Sequence, residues 1–290
     1  MSKNAFYSQS GGVTSVINTT ASAVILEAKK SKKINKVFAG KNGILGALNE
    51  ELYDTSVEST SFIKDLKFRP GGVFGSCRYK LKDFSKNQKE YQRIIDVFRA
   101  HDIGYFFYNG GNDSADTALK ISEACKKLNY DLNCIAIPKT VDNDLAITDC
   151  CPGFGSVAKY VINSTIEAAL DVESMAASST KVFILEVMGR HAGWIAASSA
   201  VAIESYPHAP DLILLPEIPF KERDFLRKVK DTVASKGFCV VVASEGIKNN
   251  KGRFIAESGL KDAFGHSQLG GVAPNLANII SKKIGLKNHW

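Results

Sequence analysis

The sequence predicts an α/β protein of two lobes, each a mainly parallel sheet covered by helices. Three features predict it. Short apolar runs alternate with longer helical stretches along the chain, and Gly, Pro, Asn or Asp stands at each junction. At 290 residues, with 44% hydrophobic and 23% charged residues, the chain has the makeup of a globular protein and the length for two cores. Strands separated by helices of this length pair in parallel through βαβ units, and the ligands of such folds gather at the carboxyl ends of the strands.

In chain order, Ala5-Phe6-Tyr7-Ser8 predicts a strand over 5–8, which Gln9-Ser10-Gly11-Gly12-Val13-Thr14 turns into a helix over 14–30. A strand over 36–39 follows, then a helix over 89–101. The strand over 103–108 ends on Asn109-Gly110-Gly111-Asn112-Asp113-Ser114 and opens a helix over 114–129. A strand over 134–137 ends on Pro138-Lys139-Thr140-Val141-Asp142-Asn143-Asp144, with a long helix expected over 157–176. The strand over 181–187 runs into Met188-Gly189-Arg190-His191-Ala192-Gly193 and a helix over 193–202. A strand over 211–215, a helix over 220–235 and a strand over 238–243 come next; the last of these ends on Ser244-Glu245-Gly246 before a helix over 271–284. Five strand ends therefore carry small, polar or charged residues where a ligand would sit. The lobes are expected to divide as 1–155 with 255–290 and 156–254, the chain crossing near 151–155 and again near 252–257.

Composition removes several function classes. No apolar stretch approaches the ~20 residues that span a bilayer, and Met1-Ser2-Lys3-Asn4 leads straight into a strand, so a cytoplasmic enzyme with no membrane partner is expected. The six cysteines, Cys77, Cys125, Cys134, Cys150, Cys151 and Cys239, show no CxxC and no zinc-site spacing, and read as free thiols. The net charge of +7 comes from lysines scattered over helices such as Lys29-Lys30 and Lys126-Lys127. Solvated faces explain these runs better than a nucleic-acid partner does, and a positive field also draws in multiply charged phosphates.

Paired glycines between a strand and a helix let backbone amides approach an anion, and the helix N-terminus adds partial positive charge. Gly11-Gly12 and Gly110-Gly111 both fit, and two such pairs at strand ends favour phosphate over a plain tight turn. GxxxxGK[ST] is absent, and Gly153-Phe154-Gly155-Ser156-Val157-Ala158 has dinucleotide-loop spacing without a strand before it. In Lys139-Thr140-Val141-Asp142-Asn143-Asp144 two carboxylates stand beside a lysine, enough for the cation, metal carboxylate and base of phosphoryl transfer. Standing alone, the segment would read as a polar turn.

Taken together, Gly110-Gly111-Asn112-Asp113-Ser114, Pro138-Lys139-Thr140-Val141-Asp142-Asn143-Asp144 and Met188-Gly189-Arg190 resemble the signature of the phosphofructokinases, in order and spacing. The resemblance runs from the first glycine loop to about Gly271. It implies a two-lobed phosphofructokinase-like fold and a set of roles. Gly11, Gly12, Arg78, Gly111 and Lys139 would contact the phosphate donor. Asp142 would take the proton from the 1-hydroxyl of fructose 6-phosphate, with Lys139 and Asp113 also catalytic. Thr140, Asp142, Met188, Gly189, Arg190 and Glu245 would bind the sugar phosphate, and Asn112, Asp113 and Asp144 would hold Mg2+. Plainer readings stand beside these: Arg78 and Lys181 as surface cations, Met188 as core, and Glu245 as a turn residue.

Members that use ATP typically carry glycine where Asp113 and Lys139 stand, and arginine where Lys181 stands. The resemblance thus points to the branch of the family that takes pyrophosphate, acting in glycolysis, with a homo-oligomer as the expected assembly. Gly265-His266-Ser267-Gln268-Leu269 echoes a family motif whose arginine clamps the sugar 6-phosphate, but Leu269 fills that place; His266 is expected to be structural and the chain to be a C-terminally shortened version. An ATP-dependent kinase of the same fold and a non-catalytic homologue are the alternatives.

Overall fold

The computed structural model describes residues 2–261 and 267–290. The chain divides into two compact units, Met1–Thr140 and Val141–Trp290.

In the first unit the elements run β1 (Lys3–Gln9), α1 (Ile17–Lys30), β2 (Ile34–Gly40), α2 (Ile44–Asn49), β3 (Leu52–Asp54), α3 (Thr60–Asp65), α4 (Gln88–Ala100), β4 (Ile103–Gly110), α5 (Asn112–Lys127) and β5 (Asn133–Pro138). The strands form one sheet in the order β3-β2-β1-β4-β5. All neighbours are parallel except the short β3, which runs antiparallel to β2. Alternation along each strand sorts side chains onto two faces. Phe6, Ile103, Phe106 and Tyr108 join Tyr91, Ile94, Ile95 and Phe98 of α4 in one core, while Ala5 and Tyr7 join Ala21, Ile25 and Ala28 of α1 in another. The spacing of both helical sets is that of an amphipathic stripe. Phe6, Phe98 and Phe106 meet with ring centroids 5.2 to 5.7 Å apart at the centre of the first core.

In the second unit come α6 (Phe154–Met175), β6 (Val182–Val187), α7 (Trp194–Ser198), β7 (Leu212–Leu214), α8 (Glu222–Lys236), β8 (Cys239–Ser244), the antiparallel pair β9 (Glu257–Lys261) and β10 (Ser267–Leu269), α9 (Val272–Ile284) and β11 (Asn288–His289). The main sheet has the order β11-β6-β8-β7 and is parallel throughout. β8 is buried along its whole length. Cys239, Val241 and Ala243 face α8 and α9, and Val240 and Val242 face the α6 side.

The expected strands and helices are present with changes of extent, the long helix expected over 157–176 spanning Phe154–Met175. The helix expected over 14–30 starts at Ile17, and the one over 193–202 stops being α-helical after Ser198 and continues as a 3₁₀ turn over Ser199–Glu204. The compact units also part from the expected division of 1–155 with 255–290 against 156–254. The segment after 255 lies with the second unit because Val272, Ala273, Leu276, Ala277 and Ile280 of α9 bury against β6 and β8, and β11 pairs with β6. Residues 141–155 do so too, as Val141 and Phe154 pack on Val187 and Val242. The six cysteines are free thiols; burial pushes Cys125 up to about 11 and Cys134 up to about 12. Among the described residues no helix is long and apolar enough to cross a membrane.

Phe106 is fully buried in the central region of the first sheet. Phe106→Ala is expected to cost the first unit about 3–5 kcal/mol, as for other buried aromatics. Amide exchange of β1 and β4 should accelerate accordingly while that of β6 and β8 stays unchanged.

Candidate active site

The first sheet changes direction at β1, whose two neighbours are β2 and β4. A crevice opens at such a switch point, outside the carboxyl ends of the two central strands. Gly11-Gly12 lies just beyond β1, and Gly110-Gly111 spans the last residue of β4 and the one after it, so the two glycine pairs read from the sequence meet at that end of the sheet. Gly111 caps the 16-residue helix α5, with Asn112 and Asp113 in its first turn. Three cations converge here. Lys139 Nζ donates to the Gly12 carbonyl at 2.7 Å, and its backbone N–H donates to the Gly110 carbonyl at 2.9 Å, which ties the end of β5 across both loops. A Cβ built on Gly12 would lie 3.9 Å from the Arg78 guanidinium. Lys80 pairs with Asp113 at 3.2 Å, and the Asp113 side chain is 24% exposed.

The second unit gathers the remaining residues at the ends of β6 and β8. Glu245 N–H donates to the Val187 carbonyl at 2.8 Å, and Ser244 Oγ donates to the Gly189 carbonyl at 2.5 Å. The two loops touch backbone to backbone. A Cβ at Gly246 would stand 2.2 Å from the Arg190 carbonyl oxygen, so only glycine fits there. Met188 is 57% exposed, which removes the plain-core reading. Burial raises the Glu245 carboxyl above its ordinary range; the Gly189 N–H and the Arg190 cation pull it back, while Asp142 and Glu186 add to the rise.

Between the two carboxylates of the 142–144 turn, Asn143 is buried and holds a left-handed backbone with φ of 57°. Its side chain accepts from the Cys151 N–H at 2.8 Å and donates to the Asp149 carbonyl at 3.1 Å. Asn143 is thus the structural member of the triplet: it pins the turn while Asp142 is left half-buried and Asp144 exposed. Lys181 stands apart from this group; its ammonium donates to the Ala176 carbonyl at the end of α6, a helix-capping role. His266 lies outside the described residues.

Residues not singled out from the sequence also belong here. Lys80 faces Asp113 in the first unit. In the second, Lys248 Nζ lies 3.4 Å from His191 Nδ1, and the imidazole is held below its ordinary range by burial first, then by Lys248 and Arg190, with Asp144 opposing. The signal for Lys248 was a basic residue three places beyond Glu245, one lysine among many. No group of three or more His, Cys, Asp or Glu side chains is arranged to hold a metal among the described residues.

The Glu245 shift has a consequence for stability. A carboxyl whose value is raised by folding contributes fully below its unfolded value and loses that contribution as pH rises from about 4.5 through the folded value. Glu245→Gln keeps the shape and the acceptor for Gly189 but removes the buried charge. Its Tm should match wild type near pH 4 and exceed it near pH 8; thermal melts at the two pH values check this.

The chain matches the phosphofructokinase family over residues 4–290. It is 58% identical over 289 residues to the pyrophosphate--fructose 6-phosphate 1-phosphotransferase of Methylococcus capsulatus, an alignment covering 99% of this chain and 69% of that one. The enzyme of the same name from Halomonas elongata is 57% identical over 288 residues, again covering 99% and 69%. The crystal structure of the pyrophosphate-dependent phosphofructokinase from Nitrosospira multiformis superposes with a TM-score of 0.86 at 55% identity, covering 99% of this chain and 68% of the other. By the family match over nearly its whole length and its identity to these relatives, this chain belongs to the phosphofructokinase family.

Proposed function

We propose that the chain moves a phosphoryl group from pyrophosphate to O1 of fructose 6-phosphate, giving fructose 1,6-bisphosphate and inorganic phosphate. The observation that carries this reading is the cationic lining of the glycine loops in the first unit, with Lys139 2.7 Å from the Gly12 carbonyl and Lys80 on Asp113 at 3.2 Å. A short donor of high charge density suits such a lining. The names of the Methylococcus and Halomonas relatives support the same donor and acceptor.

In the forward direction the O1–H bond of the sugar breaks and its proton passes to Asp142. The new O1–P bond forms as the bridging P–O bond of pyrophosphate breaks, and inorganic phosphate leaves with that electron pair. Gly11, Gly12, Gly111 and Arg78 hold the donor, and Lys139 neutralises the charge growing on the leaving phosphate. Thr140, Met188, Gly189, Arg190 and Glu245 hold the sugar phosphate. A carboxylate with a raised proton affinity, such as Glu245, is a strong acceptor for sugar hydroxyls when ionised. The same groups serve the reverse direction. Asn112, Asp113 and Asp144 would hold magnesium, which would supply neutralisation of phosphate charge.

Asp142→Asn keeps the shape of the base but cannot take up the proton. It should lower kcat by about 10²–10⁴-fold, the usual contribution of a general base, with pyrophosphate affinity unchanged. A variant retaining more than a tenth of wild-type turnover would remove Asp142 from that role.

Donor choice is expected to rest on Asp113. In the first turn of α5 its carboxylate opposes the α-phosphate a nucleotide would bring. Formation of fructose 1,6-bisphosphate from fructose 6-phosphate should be supported by pyrophosphate and not by ATP in the wild type, and Asp113→Gly should admit ATP measurably. Equal use of both donors by the wild type would overturn the pyrophosphate reading.

A further inference from the structure

Beneath the donor loops lies a buried polar chain that packing alone does not call for. Tyr7, Gln9 and Asn109 are each at most 1% exposed. Asn109 Nδ2 donates to the Tyr7 hydroxyl at 3.0 Å, the Tyr7 hydroxyl donates to Gln9 Oε1 at 3.2 Å, and Gln9 Nε2 donates to the Gly75 carbonyl at 2.7 Å. Burial raises the Tyr7 phenol well above its ordinary value, so it remains a neutral donor. Three polar side chains in a core are costly unless fully paired, and apolar residues of the same volume would fill the space at less expense. What the relay adds is direction: it begins at the end of β4, crosses β1 and ends on a single backbone carbonyl of the 69–78 loop.

That loop carries Arg78. It is anchored at its start by Asn18, which donates to the Arg69 carbonyl at 2.9 Å and accepts from the Val73 N–H at 2.9 Å. At its far end Ser76 Oγ donates to the Gly11 carbonyl at 2.6 Å and Gly11 N–H donates to the Cys77 carbonyl at 2.9 Å. Gly75 lies between these anchors in a left-handed conformation with φ of 70°, and the Gln9 amide holds its carbonyl. Gly72 completes the fit, since a Cβ there would stand 2.7 Å from Gln9 Nε2.

We propose that Gln9, through the Asn109–Tyr7–Gln9 relay, is a positioning residue for the phosphate donor: it sets the 69–78 loop so that the Arg78 guanidinium stands beside Gly12. The inference rests on the donor assignment made above for Gly12 and Arg78. A relay of this kind acts through Arg78 and leaves the sugar-binding residues of the second unit untouched.

Tyr7→Phe is the informative variant, because it keeps the ring's packing and removes the one hydroxyl that links the other two side chains. Gln9→Leu serves as the second. Calorimetric pyrophosphate affinity, KM for both substrates and amide exchange over 69–78 are to be measured in the intact chain. Each variant should weaken pyrophosphate binding by about tenfold, as expected for loss of a buried hydrogen-bonding link, with KM for fructose 6-phosphate within about twofold of wild type. Exchange at 75–78 should accelerate. In an Arg78→Ala background, Tyr7→Phe should change pyrophosphate affinity less than about twofold, since the route through Arg78 is already gone. Unchanged exchange, unchanged affinity, or an effect that persists in full without Arg78 would each overturn the proposal. A wild-type chain that binds no pyrophosphate would instead overturn the donor assignment, and the relay's role with it.

Discussion

Both main sheets are covered by helices on their two faces, and this burial governs where chemistry can occur. Along β1, β4 and β8 successive side chains enter opposite cores, so the strand interiors are filled with Phe, Val, Ile, Ala and Tyr and leave no place for a solvated charge. Charged groups that must meet a ligand are driven to the strand ends. The carboxyl ends of β1, β4 and β5 supply the glycine loops and Lys139; those of β6 and β8 supply Met188, Gly189, Arg190 and Glu245. Helix α5 strengthens the first group, because its N-terminus opens at Gly111 and carries partial positive charge.

At these ends close backbone packing replaces side-chain packing. Gly246 sits against the Arg190 carbonyl, Ser244 bonds the Gly189 carbonyl, and Lys139 bonds the Gly12 carbonyl. A side chain at Gly246 would push the two loops apart and move the groups they bear. The cost of such crowding falls on Glu245, whose carboxylate is partly desolvated among Asp142 and Glu186 and relieved by Arg190 and the Gly189 N–H. Stability is given up where an acceptor of high proton affinity is held in place.

Electrostatics in the first unit have the opposite sign. Lys80, Arg78 and Lys139 stand near the glycine loops, and Asp113 offsets part of that charge. In the function proposed above, that balance would favour an anion of high charge density and the Asp113 carboxylate would disfavour a ligand with a further phosphate at that position. The neutral relay of Tyr7, Gln9 and Asn109 lies below this cluster and adds no charge of its own.

Periodicity and turn residues made the fold class and nearly every long element legible, because strand alternation and the helical stripes of α4 and α9 are written in local order. The candidate site was legible as far as its residues carry unusual chemistry at strand ends: Gly11, Gly12, Gly110, Gly111, Lys139, Asp142 and Glu245. Local order did not reveal that α9 and β11 belong to the second unit, since an apolar stripe says that a helix is covered and not by which sheet. Nor did it separate the plain from the chemical among similar residues. Asn143 stands between two carboxylates and is a buried pin; Lys181, with a plain reading as a surface cation, caps α6; Lys248 and Lys80, not singled out in the sequence, stand beside His191 and Asp113. The amino-acid order settled which groups were available and at which strand ends they fall. Which of them meet, and at what burial, depended on contacts between segments distant in sequence, and only packing of the folded chain decides those.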